Sequence, residues 1–239
     1  MIDTHCHLLP ELDDGTRSLD EAVALAAELA EAGIVTVVCT PHRSRRFPTD
    51  MEVARERLTE LRDALRVAGI DLALHLAAEL SPAYALSLDP AALRESAIGH
   101  RYALVELEPS TPASAVPALF AHLGAAGLLP IFAHPERSRA VARDAGTLIA
   151  ARERGALVQV VATSLSGAWG RSVAQTALGL VTSGRADLLA TDAHRPGRTS
   201  RHLGEVLERL RGRIGPDGVR NLTTDTPSAV LAGADAWDS

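Results

Sequence analysis

Met1-Ile2-Asp3-Thr4-His5-Cys6-His7 opens the chain, and its reading decides how the rest is organised. A short apolar lead runs into a His-x-His pair. Residues i and i+2 of a β-strand point to one face, so His5 and His7 can aim two imidazoles at one point. The same alternation sends Cys6 the other way, into the wall behind the strand. Alone, a His-x-His pair is a weak signal. It gains meaning when further ligand-type residues recur at the ends of later strands.

They do recur. Residues 2–5 read as the first strand. Ser18, with Glu21 three residues on, reads as the capping box of a helix that Gly33 ends. Ile34 to Cys39 is a β-branched run suited to a buried parallel strand, and it delivers Thr40-Pro41-His42. A helix over 50–68 precedes a strand over 71–78 that delivers Glu79. Residues 80–100 are less regular, with a short helix at 90–95. Strand 102–105 delivers Glu106. A helix over 114–126 leads to strand 128–133, which delivers His134-Pro135-Glu136-Arg137. A helix over 138–154 precedes the sixth strand, 156–161, and a Ser/Gly loop at 163–170. After a helix over 171–183, strand 186–190 delivers Thr191-Asp192-Ala193-His194. Helices over 200–213 and 216–233 complete the chain.

Seven strand-then-helix units predict an α/β fold of parallel strands with right-handed crossovers. Ligand-type residues follow six of the seven strands. A barrel brings such ends round one mouth, whereas an open sheet spreads them along an edge. The expectation is a distorted seven-stranded (β/α) barrel, TIM-like, with residues 1–239 as one domain.

Composition narrows the function. The 239 residues are 46% hydrophobic, enough to bury a substantial core. A net charge of −6 argues against a bulk nucleic-acid or anionic-membrane surface. No apolar run is long enough to span a bilayer, and no signal peptide is visible. Two cysteines, Cys6 and Cys39, make no disulfide framework, which suits a reducing cytoplasm. All 24 Lys-plus-Arg residues are Arg, so no lysine can act as a base or Schiff-base nucleophile. Aromatics are 3%, and no stacking platform for an aromatic ligand is visible.

His5, His7, Asp14, His42, Glu79, Glu106, His134, Asp192 and His194 form the candidate metal-ligand set. Imidazole and carboxylate donors without thiolate suit Mn²⁺, Fe²⁺ or Zn²⁺ rather than Ca²⁺. Nine donors exceed the need of one ion, so two or three divalent ions are expected, with a carboxylate bridging. Clustered cations neutralise an anionic substrate and lower the pKa of bound water to about 7. The implied chemistry is metal-assisted hydrolysis of a phosphate ester. Singly, each residue has a plainer reading: a cap, an ion pair, or, for Asp13 and Asp14 before Gly15, a turn former. Recurrence at strand ends carries the set. His75, His100, His122 and His202 stay outside it.

Phosphate recognition favours Arg, whose planar fork binds two oxygens. Arg137 and Arg139 follow His134; Arg195 and Arg198 follow His194. Arg137 and Arg198 occupy loops at the expected mouth. Arg43, Arg45 and Arg46 read either as a basic rim for a protein substrate or as a solvated loop. The stretch Cys39-Thr-Pro-His-Arg-Ser-Arg45 has the C-x5-R spacing of thiol phosphatases. It lacks glycine, and Pro41 removes an N–H donor, so the metal chemistry is preferred.

On the motifs Ile2-Asp3-x-His5-x-His7-Leu8-Leu9-Pro10 with Asp13-Asp14-Gly15, Thr40-Pro41-His42, Glu79, Val105-Glu106, Ala133-His134-Pro135-Glu136-Arg137 and Ala190-Thr191-Asp192-Ala193-His194, the chain resembles the polymerase-and-histidinol-phosphatase (PHP) superfamily. It is more closely similar to the bacterial tyrosine phosphatases of capsular and exopolysaccharide loci. The resemblance implies the distorted barrel and a tri-metal site, Mn²⁺ first, with Fe²⁺ or Zn²⁺ as alternatives. It implies a cytoplasmic enzyme that hydrolyses phosphotyrosine on protein through a hydroxide bridging the metals. The typical substrate is a membrane-anchored bacterial tyrosine kinase that controls polysaccharide export. Carried over by position, His5, His7, Glu79 and Asp192 hold one ion, with Glu79 bridging. Glu106 and His134 serve a second, and Asp14, His42 and His194 a third. Arg137 or Arg139, with Arg198, hold the phosphate.

The chain departs from the family at Val161, where relatives often carry Asn. Leu107-Glu108-Pro109 also replaces the usual aromatic after Glu106. The alternatives are a small-molecule phosphomonoesterase, such as a histidinol-phosphate phosphatase, and a non-catalytic metal-binding regulator. Neither a nucleic-acid partner nor direct membrane insertion is expected; an oligomer is left open.

Overall fold

Strands and helices alternate through the described residues, 1–108, 111–143, 145–197 and 199–234 of a computed structural model. In chain order the first elements are β1 (Ile2–Cys6), α1 (Leu19–Glu31), β2 (Thr36–Cys39), β3 (His42–Arg43), α2 (Met51–Ala68), β4 (Ala73–Leu76) and β5 (Glu79–Leu80). Next come α3 (Pro82–Ala85), α4 (Pro90–Glu95), β6 (Tyr102–Glu106), α5 (Ala115–Ala125) and β7 (Leu129–Ala133). A 3₁₀ turn at Pro135–Arg137 leads to α6 (Arg139–Arg143), α7 (Gly146–Arg152), β8 (Leu157–Val161), α8 (Ala162–Leu165), α9 (Arg171–Thr182) and β9 (Leu188–Ala190). The chain continues through α10 (Thr199–Arg220), a π turn at Asn221–Asp225 and α11 (Thr226–Leu231).

Each of the seven expected strand segments contains a strand. Two of them are followed by a further two-residue strand that was not expected: β3 lies past Thr40-Pro41, and β5 past Ala77-Ala78. Pro41 has no N–H to offer a ladder, which ends β2 there. Hydrogen bonding therefore groups the described strands into two parallel sheets, β1-β2-β4 and β3-β5-β6-β7-β8-β9, rather than one continuous circuit. Both short strands join the second sheet, with His42 opposite Glu79 in the β3–β5 pair. The sheets meet again where β1 ends: His7 N–H donates to the Ala193 carbonyl and Asp192 N–H to the His5 carbonyl, both at 2.9 Å.

Most strands are buried on both faces, as parallel strands flanked by helices are; β4 departs from this, with Ala73 and His75 exposed. Neighbouring residues divide between two apolar clusters. Val37, Val105, Phe132, Val158 and Leu189 pack with helix residues such as Leu25, Leu29 and Leu61. Val38, Leu104, Ile131, Leu157 and Leu188 face the other way, with Tyr102 and Val230. The period-two alternation that sets the wall thus also sets which strand-end side chains meet.

Helix ends follow the sequence with some corrections. Ser18 Oγ caps α1 by accepting from Glu21 N–H at 3.2 Å. Glu21 does not close the box on Ser18; its carboxylate takes the N–H of Arg17 at 2.9 Å. Gly69 ends α2 in the left-handed region, φ 69°, where a side chain would be strained. In place of the single helix expected over 138–154 stand α6 and α7, and Ser138, extended at φ −76° and ψ 128°, separates α6 from the 3₁₀ turn before it. The Ser/Gly loop at 163–170 holds α8 instead, closed by Ser166 N–H on the Ala162 carbonyl at 2.9 Å. Gly215, at φ 74° and ψ 170°, breaks α10 before Pro216. Among the described residues no helix is long and apolar enough to cross a membrane.

Candidate metal and phosphate site

β1 delivers His5 and His7 fully buried on one face, with Cys6 on the other against the Ala193 carbonyl. Their Nε2 atoms lie 3.2 Å apart. Two imidazole nitrogens aimed at one point suit a shared cation better than each other. His134 and Asp192, just past β7 and β9, sit at φ 34° and φ 54°. Left-handed backbone is uncommon for non-glycine residues, though His and Asp are enriched there. Such strain persists where the surroundings over-determine it, commonly at functional sites.

Glu79 is the centre. It is fully buried, and its Oε2 lies 3.2 Å from His5 Nε2, 3.2 Å from His7 Nε2 and 3.0 Å from His42 Nδ1. Its Oε1 is 2.9 Å from His134 Nε2. Despite this crowd, Oε2 receives no hydrogen bond, and neither does His134 Nδ1. A buried carboxylate oxygen left without a donor is costly, and a cation would satisfy it. His5, His7 and Glu79 form one group whose donor atoms could hold a metal ion. His7, Asp14, His42 and His194 form a second; His5, His134 and Asp192 a third; His42, Glu79 and Glu106 a fourth. Within each group the ligand atoms lie within 4.8 Å of one another. All nine predicted ligands therefore come together. The grouping places His134 with His5 and Asp192, and Glu106 with His42 and Glu79, which differs from the division that the family resemblance implies.

Charge in the cluster is strongly biased. Burial alone would push Glu79 up, but His5 and the other imidazoles hold it well below the usual carboxylate range. Asp192 is held low in the same way by His5, His7, His134 and Arg137. Burial and the charge of Glu79 push Glu106 up to about 7. Burial opposes charge on His7, yet Asp13, Asp192 and Glu79 overcome it and raise it well above its ordinary value. A compact set of carboxylates and imidazoles, with no thiolate, is the donor chemistry of Mn²⁺, Fe²⁺ or Zn²⁺.

Several supporting residues escaped the sequence reading. Asp13 Oδ2 lies 2.7 Å from His7 Nδ1 and accepts the His42 N–H at 2.7 Å. Gln159 Oε1 lies 2.8 Å from His5 Nδ1, while its Nε2 donates to Thr4 Oγ1 at 2.9 Å. Asp3 accepts the N–H of His5 at 3.3 Å and of Thr191 at 3.0 Å, tying the start of the chain to the Asp192 turn. Such partners fix the ring orientation of a ligand histidine. Gly15 packs against His7 so closely that an added Cβ would lie 2.4 Å from the His7 carbonyl oxygen. The Asp13-Asp14-Gly15 turn is readable in sequence, but its role as a brace is not. A polar residue in the buried β8 run, Gln159, was the available signal for the second brace.

A cleft of about 380 Å³ opens onto the cluster, lined by Asp14, His42, Glu79, Glu106, His134, Arg137, Thr163, Trp169, Asp192 and His194. Arg137 is the arginine of the cleft: it pairs with Asp192 Oδ2 at 2.8 Å and donates to Thr163 Oγ1 at 3.2 Å. Its guanidinium carbon lies 4.2 Å from the centre of the Trp169 ring. Arg139 is exposed and does not line the cleft; the extended Ser138 separates it from Arg137 at the end of the 3₁₀ turn. Arg198 lies outside the described residues. Arg43 is not part of an exposed rim; it donates to the Ala92 carbonyl at 2.9 Å and to Ser96 Oγ at 2.8 Å. Arg45 and Arg46 are exposed. Aromatics are nearer than composition suggested, since Trp169 lines the cleft and Phe47 stacks on His42 at 5.8 Å.

Cys39 is fully buried, and burial pushes its thiol up to about 12. That removes the thiolate the C-x5-R reading would need. His75 and His100 are exposed, and His122 Nε2 lies 3.0 Å from the Leu88 carbonyl oxygen; none of the three joins the cluster. The His202 side chain lies outside the described residues.

Comparison with known proteins gives a consistent picture. The model of the family described as capsular polysaccharide synthesis, CpsB/CapC, matches residues 1–232. CapC of Staphylococcus aureus is 30% identical over 204 residues, 81% of this chain and 77% of that protein. The tyrosine-protein phosphatase YwqE of Bacillus subtilis is 28% identical over 219 residues, 91% of this chain and 86% of that protein. A solved chain from the crystal structures of YwqE and Streptococcus pneumoniae CpsB, described as metal-dependent tyrosine phosphatases, superposes with a TM-score of 0.86. It is 28% identical and covers 98% of this chain and 95% of its own.

Proposed function

The chain belongs to the CpsB/CapC capsular polysaccharide synthesis family, and from that premise we propose that it is a metal-dependent phosphatase that hydrolyses phosphotyrosine on protein. The observation that carries this reading is Glu79: a buried carboxylate among four imidazoles with one oxygen undonated. We read His5, His7, Asp14, His42, Glu79, Glu106, His134, Asp192 and His194 as ligands of two or three divalent ions, Mn²⁺ first. Such ions supply charge neutralisation and a water acidified to a pKa of about 7.

The protein's own groups orient the reaction. Arg137 holds the phosphate by its N–H fork, and Arg198 is assigned as a second contact from the family pattern. Asp13 and Gln159 fix the rings of His7 and His5, so the site does not reorganise during the reaction. Water adds to phosphorus, the bond to the tyrosine oxygen breaks, and the phenolate leaves through the open mouth, where it takes a proton from a site acid or solvent.

The finer parts of the reading follow the family. The two sheets are taken as parts of one distorted seven-stranded barrel in a single domain over residues 1–239. The substrate is a membrane-anchored tyrosine kinase of polysaccharide export, and the compartment is the cytoplasm. Turnover of a phosphotyrosyl peptide against histidinol phosphate tests the assignment. A higher kcat/KM for the peptide is expected; a strong preference for histidinol phosphate would replace this reading with a small-molecule phosphatase.

A further inference from the structure

Trp169 is 57% exposed and yet lines the cleft with Glu79, Asp192 and Arg137. The chain has only two Trp, two Tyr and three Phe, and Tyr102 and Phe132 are fully buried. One of few large aromatics thus stands in water at the mouth of the site. Its loop is built to hold it there. Gly167 (φ 89°) and Gly170 (φ 92°) flank it with left-handed backbone that only glycine adopts freely. Ala168 N–H donates to the Thr163 carbonyl at 3.3 Å, and Gly170 N–H to the Gly167 carbonyl at 2.9 Å. Arg137, 4.2 Å from the ring centre, locks the indole to the cleft by a cation–π contact.

We propose that Trp169 determines specificity for aryl over alkyl phosphate esters, by offering an aromatic surface to the phenyl ring while Arg137 holds the phosphate. The inference rests on the phosphatase reading above. Two aromatic rings attract at centroid separations of about 4.5–7 Å, offset or edge to face. A phosphoserine side chain has no ring to use that surface. If Trp169 served only to hold Arg137 in place, its loss would affect every phosphate ester alike.

The test compares kcat/KM of the Mn²⁺-loaded protein on a phosphotyrosyl peptide and on the same peptide carrying phosphoserine. Metal content and far-ultraviolet circular dichroism are measured on each variant. Trp169→Leu is expected to lower kcat/KM for phosphotyrosine about tenfold, mainly through KM, with phosphoserine turnover unchanged. Trp169→Phe is expected to restore most of the loss. An equal loss on both peptides, or a wild-type protein without preference between them, overturns the inference. A second readout is independent of turnover. In a Trp237→Phe background, phenyl phosphate should change Trp169 fluorescence where glycerol phosphate does not, and equal responses overturn the inference. If the wild-type protein hydrolyses neither peptide, the phosphatase reading fails, and the fluorescence comparison still decides the role of Trp169.

Discussion

Asp13 Oδ2 lies 2.7 Å from His7 Nδ1 and, through the same oxygen, accepts the His42 N–H at 2.7 Å. One carboxylate therefore orients two candidate ligands from different strands. His7 and the two N–H donors hold Asp13 down at about 2 against its burial, so it is charged at neutral pH. A charged acceptor makes the His7 ring more basic toward a metal and fixes which nitrogen faces it.

Asp13→Asn keeps the size of the side chain and removes the charge. Metal affinity is expected to fall about 10- to 100-fold, with the fold retained. Titration of the metal-free protein with Mn²⁺, followed by calorimetry, measures this. Unchanged affinity would mean that Asp13 is only a turn former.

Arg137 and Arg139 are two residues apart but differ in place. Arg137→Ala is expected to lower kcat/KM for a phosphotyrosyl peptide about 100-fold. Arg139→Ala should stay within about twofold, as for an exposed residue outside the cleft. Because Arg137 also pairs with Asp192, metal content is measured on both variants. A larger loss at Arg139 would reverse the assignment.

Cys39 has no part in the chemistry. Iodoacetamide at neutral pH should leave activity intact, because the thiol is buried and held at about 12. Cys39→Ser should stay active while His42→Ala loses activity. The opposite pattern would restore the thiol mechanism.

Away from the site, Arg152 binds both Asp187 oxygens, with contacts of 2.7, 2.9 and 3.0 Å, and Asp187 Oδ2 accepts the Val158 N–H at 2.9 Å. Arg152→Ala leaves a buried carboxylate without its cation and should cost about 2–3 kcal/mol at neutral pH. Burial raises Asp187 above 3.8 even with Arg152 opposing it. Removing Arg152 raises it further. A carboxyl whose folded pKa exceeds its unfolded value penalises the fold above the folded pKa, and the penalty fades as pH falls toward about 3.8. The deficit of the variant in urea unfolding should therefore shrink on acidification. A deficit that grows toward low pH would mean that Asp187 is not the group responsible.

How much of this was legible in the sequence depended on whether a residue's role was set by local pattern. His5 and His7 were readable because strand alternation alone puts them on one face. His134 and Asp192 were readable because each follows an apolar run. The short strands β3 and β5 were not, since their place in the second sheet depends on pairing partners far along the chain. Asp13 was hidden because Asp-Asp-Gly is also an ordinary turn, and only the fold shows that it faces His7. Trp169 was hidden in a Ser/Gly stretch whose helix, α8, has no periodicity to read. Arg137 and Arg139 could not be told apart because both follow His134 closely, and only the fold shows the 3₁₀ turn and extended Ser138 that part them.

If the cluster around Glu79 holds the ions of a phosphotyrosine phosphatase, activity should depend on metal bound there. The most direct measurement strips the protein with a chelator, assays it on a phosphotyrosyl peptide, and assays it again after titration with Mn²⁺ and counting of bound ions. Activity should fall to background when stripped, recover with two or three ions per chain, and not recover in a Glu79→Gln variant that folds normally. Activity that survives complete removal of metal, or that never returns with any divalent ion, would rule out a metal-dependent phosphatase site at Glu79.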